Sequence, residues 1–147
     1  MHLAQHIETH IHTGDAADTV TLDYEARFLR RKRLVSDAGE PFLVELAETR
    51  SLNQGEGFRL DDGRIIAVMA AAEPLLAVQH GNLARIAWHV GNRHTPCQIA
   101  DDHILIREDR VLQAMLEGLG ASVTQVTAPF TPEGGAYGHG RTHGHEH

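Results

Sequence analysis

Cysteine is almost missing from this chain of 147 residues, where Cys97 stands alone. One thiol cannot close an internal disulfide, and a reducing compartment is expected. Long apolar runs are missing too. No stretch could span a bilayer or form the core of a signal peptide, so a cytoplasmic protein with no membrane partner is expected. Positive charge is scarce, with 13 Lys and Arg against 20 Asp and Glu and a formal net charge of −7 when histidine is neutral. Such a surface gives no support for nucleic-acid binding and suits attraction of cations. The one basic cluster, Arg30-Arg31-Lys32-Arg33, has no interleaved aromatic to stack bases. It reads as a solvated strand or hairpin face, with protein docking as the competing use. Catalytic signatures are also lacking: there is no HExxH-type motif and no nucleophile–base pair, so no enzyme is expected.

Histidine is what the chain has in quantity, with 12 residues. His139, His143, His145 and His147 fall within the last nine positions, interleaved with Gly, Arg, Thr and Glu. Neutral imidazole is the commonest protein ligand for nickel, copper and zinc, and alternation with glycine lets several rings converge on one ion. The competing reading is a purification tag or solubilising terminus. A tag would be an unbroken histidine run behind a scar, whereas these residues continue the segment Pro129 to Tyr137.

Short β-prone runs alternate with turn signals up to about Val78: Thr19–Leu22, Phe42–Leu46, Gly57–Leu60 and Arg64–Met69. Asp62-Gly63, between two apolar runs, predicts a hairpin turn in which glycine supplies a positive φ. Beyond Pro74 the period changes. A strand is expected at Leu75–Val78, then a helix whose Leu83, Ile86, Ala87 and Val90 share one face and which Gly91-Asn92 ends. Strands at Cys97–Ile99 and His103–Ile106 follow. Glu108-Asp109 opens a second helix, with Val111, Leu112, Met115, Leu116 and Leu119 on its buried face and Gly120 at its end. Ala121–Thr127 is the last strand. The fold class expected is α+β: a small N-terminal β domain over residues 1–73, a ferredoxin-like βαββαβ domain over 74–130 and a disordered His-rich tail over 131–147.

Among the remaining histidines, His94 follows the first helix, where the Gly-Asn break lets its ring leave the helix and point outward from a rigid mount. One imidazole per chain cannot hold a transition metal, but two copies at a two-fold axis supply two ligands. His80 and His89 read as polar-face or partly packed residues at helical positions, and His103 as structural at a strand start. His6, His10 and His12 share a parity that in a strand would put them on one face; in a helix, His2, His6 and His10 would align instead. Edge-strand decoration is the favoured account. Cys97 reads as a small core residue.

The stretch Trp88-His89-Val90-Gly91-Asn92-Arg93-His94-Thr95-Pro96 resembles the GNRH signature of the UreE family of urease accessory proteins, which are nickel metallochaperones. Glu133-Gly-Gly-Ala-Tyr137 before a His-rich C-terminus is also characteristic. Leu22 to Arg27, Arg31-Lys32-Arg33 and Asp62-Gly63-Arg64 are similar to that family's peptide-binding β domain, so the resemblance covers nearly the whole chain. It implies that His94 is a metal ligand at a homodimer interface and that the tail completes or feeds the site through His145 and His147, with His139 and His143 in reserve. It also makes Arg31, Lys32 and Arg33 candidates for contact with the urease assembly machinery. One departure stands out: Glu108 and Arg110 occupy positions where some members carry a His-x-His pair, so a second, peripheral site is not expected.

The function implied is a nickel carrier that passes Ni(II) to apo-urease through an accessory GTPase complex, with copper and zinc also suited to its imidazoles. A storage or sensing protein for divalent Ni, Cu or Zn would use the same histidines and is the alternative.

Overall fold

Every second residue from Phe42 to Leu46 is buried, the period of a strand with one face on a core. The computed structural model describes residues 1–134. The chain divides into two compact units, Met1–Ala71 and the segment from Ala72 onward, and the fold class is α+β.

In the first unit β1 (His2–Glu8), β2 (Asp18–Leu22), β3 (Phe28–Val35), β4 (Pro41–Ser51), β5 (Gly57–Leu60) and β6 (Ile65–Ala70) form one sheet, ordered β2-β6-β5-β1-β4-β3. The pairs β1–β4 and β2–β6 are parallel and the others antiparallel. The sheet curls. Asp37, just beyond the β3 edge, reaches the opposite edge: its N–H donates to the Thr19 carbonyl at 2.8 Å, and its carboxylate accepts from the Thr19 and Thr21 hydroxyls. Inside lie Val20, Leu34, Phe42, Val44, Phe58, Leu60, Ile66 and Val68, with the Phe42 and Phe58 rings 5.7 Å apart. Arg27 is also buried, its guanidinium donating to the carbonyls of Leu22 and Leu52, each at 3.0 Å. At position 57 only glycine fits, because a Cβ there would lie 2.5 Å from Ile11 Cδ1 and 2.7 Å from the Ile66 carbonyl oxygen. Asp62-Gly63 makes the expected turn between β5 and β6, with Gly63 at φ +91°.

The second unit runs β7 (Ala72–Gln79), α1 (Leu83–Asn92), β8 (Gln98–Ile99), β9 (Ile104–Arg107), α2 (Arg110–Gly118) and β10 (Ser122–Pro129). Its sheet has the order β10-β7-β9-β8, every neighbour antiparallel. Leu76 and Val78 lie opposite Ile106 and Ile104 across β7 and β9, and these four share one apolar core with Ile86 and Val90 of α1 and Leu112 and Leu116 of α2. Asn82 caps α1 by accepting from the Arg85 N–H, and Asp109 caps α2 by accepting from that of Leu112. Two expectations fail here. Val111 is not on the buried face but 67% exposed, because the second helical position turns it away from the core that Leu112 and Leu116 enter. His80 is not helical; it lies in the turn between β7 and α1.

Candidate metal centre

Helix α1 ends at Gly91-Asn92, as expected, with both residues in its last turn and Arg93 as C-cap. The chain reverses one step later. His94 itself takes the left-handed conformation, φ +56°, and its N–H bonds the Gly91 carbonyl at 2.9 Å. Glycine usually fills such a position, since a Cβ crowds the backbone there. The imidazole is therefore exposed at the end of a helix that is anchored in the core through Ile86 and Val90. Six residues earlier, Trp88 is 63% exposed, and its ring meets that of His89 edge-on with centroids 5.0 Å apart.

Several other histidines are committed elsewhere. At His80, Nδ1 accepts the Asn82 N–H at 2.8 Å and must be unprotonated, which leaves Nε2 to donate to the Leu119 carbonyl at 3.1 Å. Both ring nitrogens are used in holding the start of α1 to the end of α2. His103 precedes β9 rather than beginning it, and its Nδ1 lies 2.6 Å from Asp102, whose carboxyl is held below the usual range by that contact. His6 is exposed on β1, whereas His10 and His12 lie beyond the end of that strand, so the three do not share one strand face. His10 sits at φ +58°, which breaks the extended run. Cys97 is half-buried against the second core, as expected, and burial pushes its thiol pKa up, away from the thiolate a metal would need.

One cluster was not foreseen. His2, Asp61 and Asp62 offer ligand atoms all within 4.8 Å of one another, and among the described residues no other group of three does so. Fifty-nine positions separate His2 from Asp61, so only the pairing of β1 with β5 brings them together. A cation already serves this cluster. Arg64 donates from Nε to Asp62 at 2.7 Å and grips Glu40 with two bonds of 2.7 and 2.6 Å. Asp61 takes His2 Nδ1 at 2.6 Å and the Leu3 N–H at 3.2 Å. The His2 contact chiefly lowers the pKa of Asp61, the Arg64 backbone N–H and then its guanidinium that of Asp62, and the Arg64 guanidinium that of Glu40. With its carboxylates already engaged by Arg64, His2 and the Leu3 N–H, this is a latch between β1 and the β5–β6 turn, not a vacant ligand set.

His94 thus follows a core-anchored helix but belongs to no three-ligand group among the described residues. His139, His143, His145 and His147 lie outside the described residues.

A curled β unit followed by an α+β unit with an exposed histidine at a helix end defines the class of this two-part chain. Residues 2–71 match the family model described as UreE urease accessory protein, N-terminal domain, and residues 73–147 match that of its C-terminal domain. The chain belongs to the UreE urease accessory protein family. It is 57% identical over 136 residues to the urease accessory protein UreE of Ruegeria pomeroyi, an alignment covering 92% of this chain and 91% of that protein. To the protein of the same name from Rhodobacter capsulatus it is 61% identical over 132 residues, 90% of this chain and 84% of the relative. The corresponding figures for Paracoccus denitrificans are 62% over 123 residues, 84% and 79%. Among the described residues no helix is long and apolar enough to cross a membrane.

Proposed function

We propose that this protein is a non-enzymatic cytoplasmic nickel carrier that collects Ni(II) through imidazoles and delivers it, with an accessory GTPase complex, to apo-urease. One observation carries the reading: His94, at φ +56° beyond the end of a core-anchored helix, is exposed. Family membership supports the urease role. Two copies of the chain meeting on a two-fold axis would bring two His94 rings to one ion, and the exposed Trp88 nearby supplies apolar surface for such a homodimer. His139, His143, His145 and His147 would complete or feed the site; of the tail expected over residues 131–147, Thr131 and Glu133 are held by their N–H groups donating to the Gln98 side chain and the Cys97 carbonyl. Residues 74–130 form its ferredoxin-like mount, an assignment supported by the strand order β10-β7-β9-β8 and the shared helix core. Residues 1–73 form the partner-binding β domain, with Arg31, Lys32 and Arg33 as contacts to the assembly machinery.

The chemistry suits transfer. A ligand set divided between two chains and two tails loses ordering entropy on binding, which limits affinity and lets a partner's ligands replace the carrier's one at a time. Copper and zinc also fit imidazole, and copper binds such a set more tightly than nickel, so selection for nickel rests on availability and partners.

The test is urease activation in a cell lacking this protein at limiting nickel. The wild-type chain restores activity, and His94→Ala does not, while the purified variant loses its tightest nickel site by calorimetry. Full nickel affinity in the variant rejects His94 as ligand, and no rescue by the wild-type chain rejects the urease role.

A further inference from the structure

We propose that the basic run of β3 is a docking surface for an acidic segment of a partner protein, recognised through side-chain charge rather than by addition of a strand. The proposal deepens the assembly role and rests on it for who the partner is, not for whether the surface binds.

The carboxylates of the first unit outnumber its basic groups, and all four of its arginines outside β3 are engaged within the unit. Arg27 donates to carbonyls, Arg50 pairs with Glu56 at 3.4 Å, Arg59 with Glu8 at 3.2 Å, and Arg64 with Glu40 and Asp62. The β3 run differs. Arg30, Arg31, Lys32 and Arg33 are all exposed, four in succession. Only Arg31 has an ion-pair partner among the described residues, Glu45 at 3.9 Å, and it remains 70% exposed. The uncompensated positive charge of an acidic unit is thus gathered on one strand. That strand is an edge, paired only with β4.

The form of the edge decides the mode of binding. A register shift between Leu29 and Arg31 takes Arg30 out of line with β4, and Lys32 lies opposite Val44, a buried core residue. An irregular register and exposed charges along an edge strand discourage another strand from pairing there, and four like charges repel a second copy of the same edge. Carboxylates meet no such barrier: arginine forks accept them with two parallel bonds. At about 3.3 Å per residue the run spans roughly 10 Å, the reach of three or four residues of an extended acidic segment. Nucleic acid is the poorer occupant, because residues 30–35 hold no aromatic to stack a base and the surrounding surface is acidic. Exposed ion pairs of this kind bind weakly and exchange quickly, as a carrier that must leave its partner requires.

A fluorescein-labelled octapeptide alternating Glu and Ser, titrated with the full-length protein, provides the test by anisotropy. Binding is expected, weakening about tenfold as salt rises from roughly 0.02 to 0.2 M, and a Gln-Ser peptide of equal length does not bind. R30E/K32E/R33E, and the milder R30Q/K32Q/R33Q should the first misfold by circular dichroism, lower affinity at least about tenfold. R85E/R110E, which reverses two exposed arginines of the second unit, leaves it unchanged. Equal loss in R85E/R110E, unchanged affinity in both β3 variants, or tighter binding of an oligothymidylate of the same charge overturns the proposal. Urease activation run in parallel separates the two readings: failure of the wild-type chain to rescue removes the assembly role, while the peptide titration alone decides the surface.

Discussion

A histidine held at φ +56° is strained relative to glycine, because its Cβ crowds the backbone in the left-handed region. Alanine keeps that strain and glycine relieves it. His94→Gly and His94→Ala should therefore lose nickel binding equally, while the glycine variant of the apo protein is more stable than the alanine variant by about 1 kcal/mol. Denaturant unfolding of the metal-free proteins reads the difference. Equal stabilities would show that the turn relaxes on substitution, and the rigid mount would lose its support. His80 is the opposite case, a ring whose two nitrogens are both occupied by backbone groups. Two histidines fourteen positions apart thus differ, His80 with both ring nitrogens engaged in the fold and His94 exposed at a helix end.

The Arg64 latch shows charge working between elements. Glu40, Asp61 and Asp62 titrate below their ordinary values in the folded protein, so folding favours their charged forms. Their contribution is present above the ordinary carboxylate range, about pH 4, and is lost as pH falls through the lowered folded values. In Arg64→Gln, the carboxyls of Glu40 and Asp62 should titrate higher, followed by carbon-detected NMR, while Asp61, held mainly by His2, moves little. An unmoved Glu40 would show that the latch is not built on Arg64. Local patterns were legible in the sequence: Asp62-Gly63 announced its hairpin, and period 3.6 announced both helices. The signals that failed belong to distant partners. β1 alternates poorly and is placed by β4 and β5, from 40 to 56 positions away, whereas the four successive charges of β3 read correctly as a solvated strand face. His94 could be picked out from its neighbours in the chain, whereas the His2 latch depends on a contact across the sheet. Val111 was misassigned because an apolar residue at a helix start fits the period yet faces solvent.

For the whole molecule, the proposed carrier divides its ligands between mount and tail. Deletion of residues 138–147 should lower nickel stoichiometry and capture rate yet leave one site per dimer, measured by calorimetry and native mass; complete loss would move the primary site into the tail. Protons compete for every imidazole ligand, and free imidazole titrates near 6.5, so affinity should collapse between about pH 7 and pH 5 with protons released on binding. Tight binding that persists at pH 5.5 without proton release would require carboxylate ligands instead. The strand order β2-β6-β5-β1-β4-β3 carries one more consequence, for the time course of synthesis. Residues 2–8 occupy the interior of the sheet and find no neighbour until β4 and β5 have followed them, and β2 waits for β6. Such non-local pairings fold slowly. The nascent first unit therefore cannot close until β6, its last strand, has been made, and during that interval β1 and β2 depend on their polar residues to stay unaggregated.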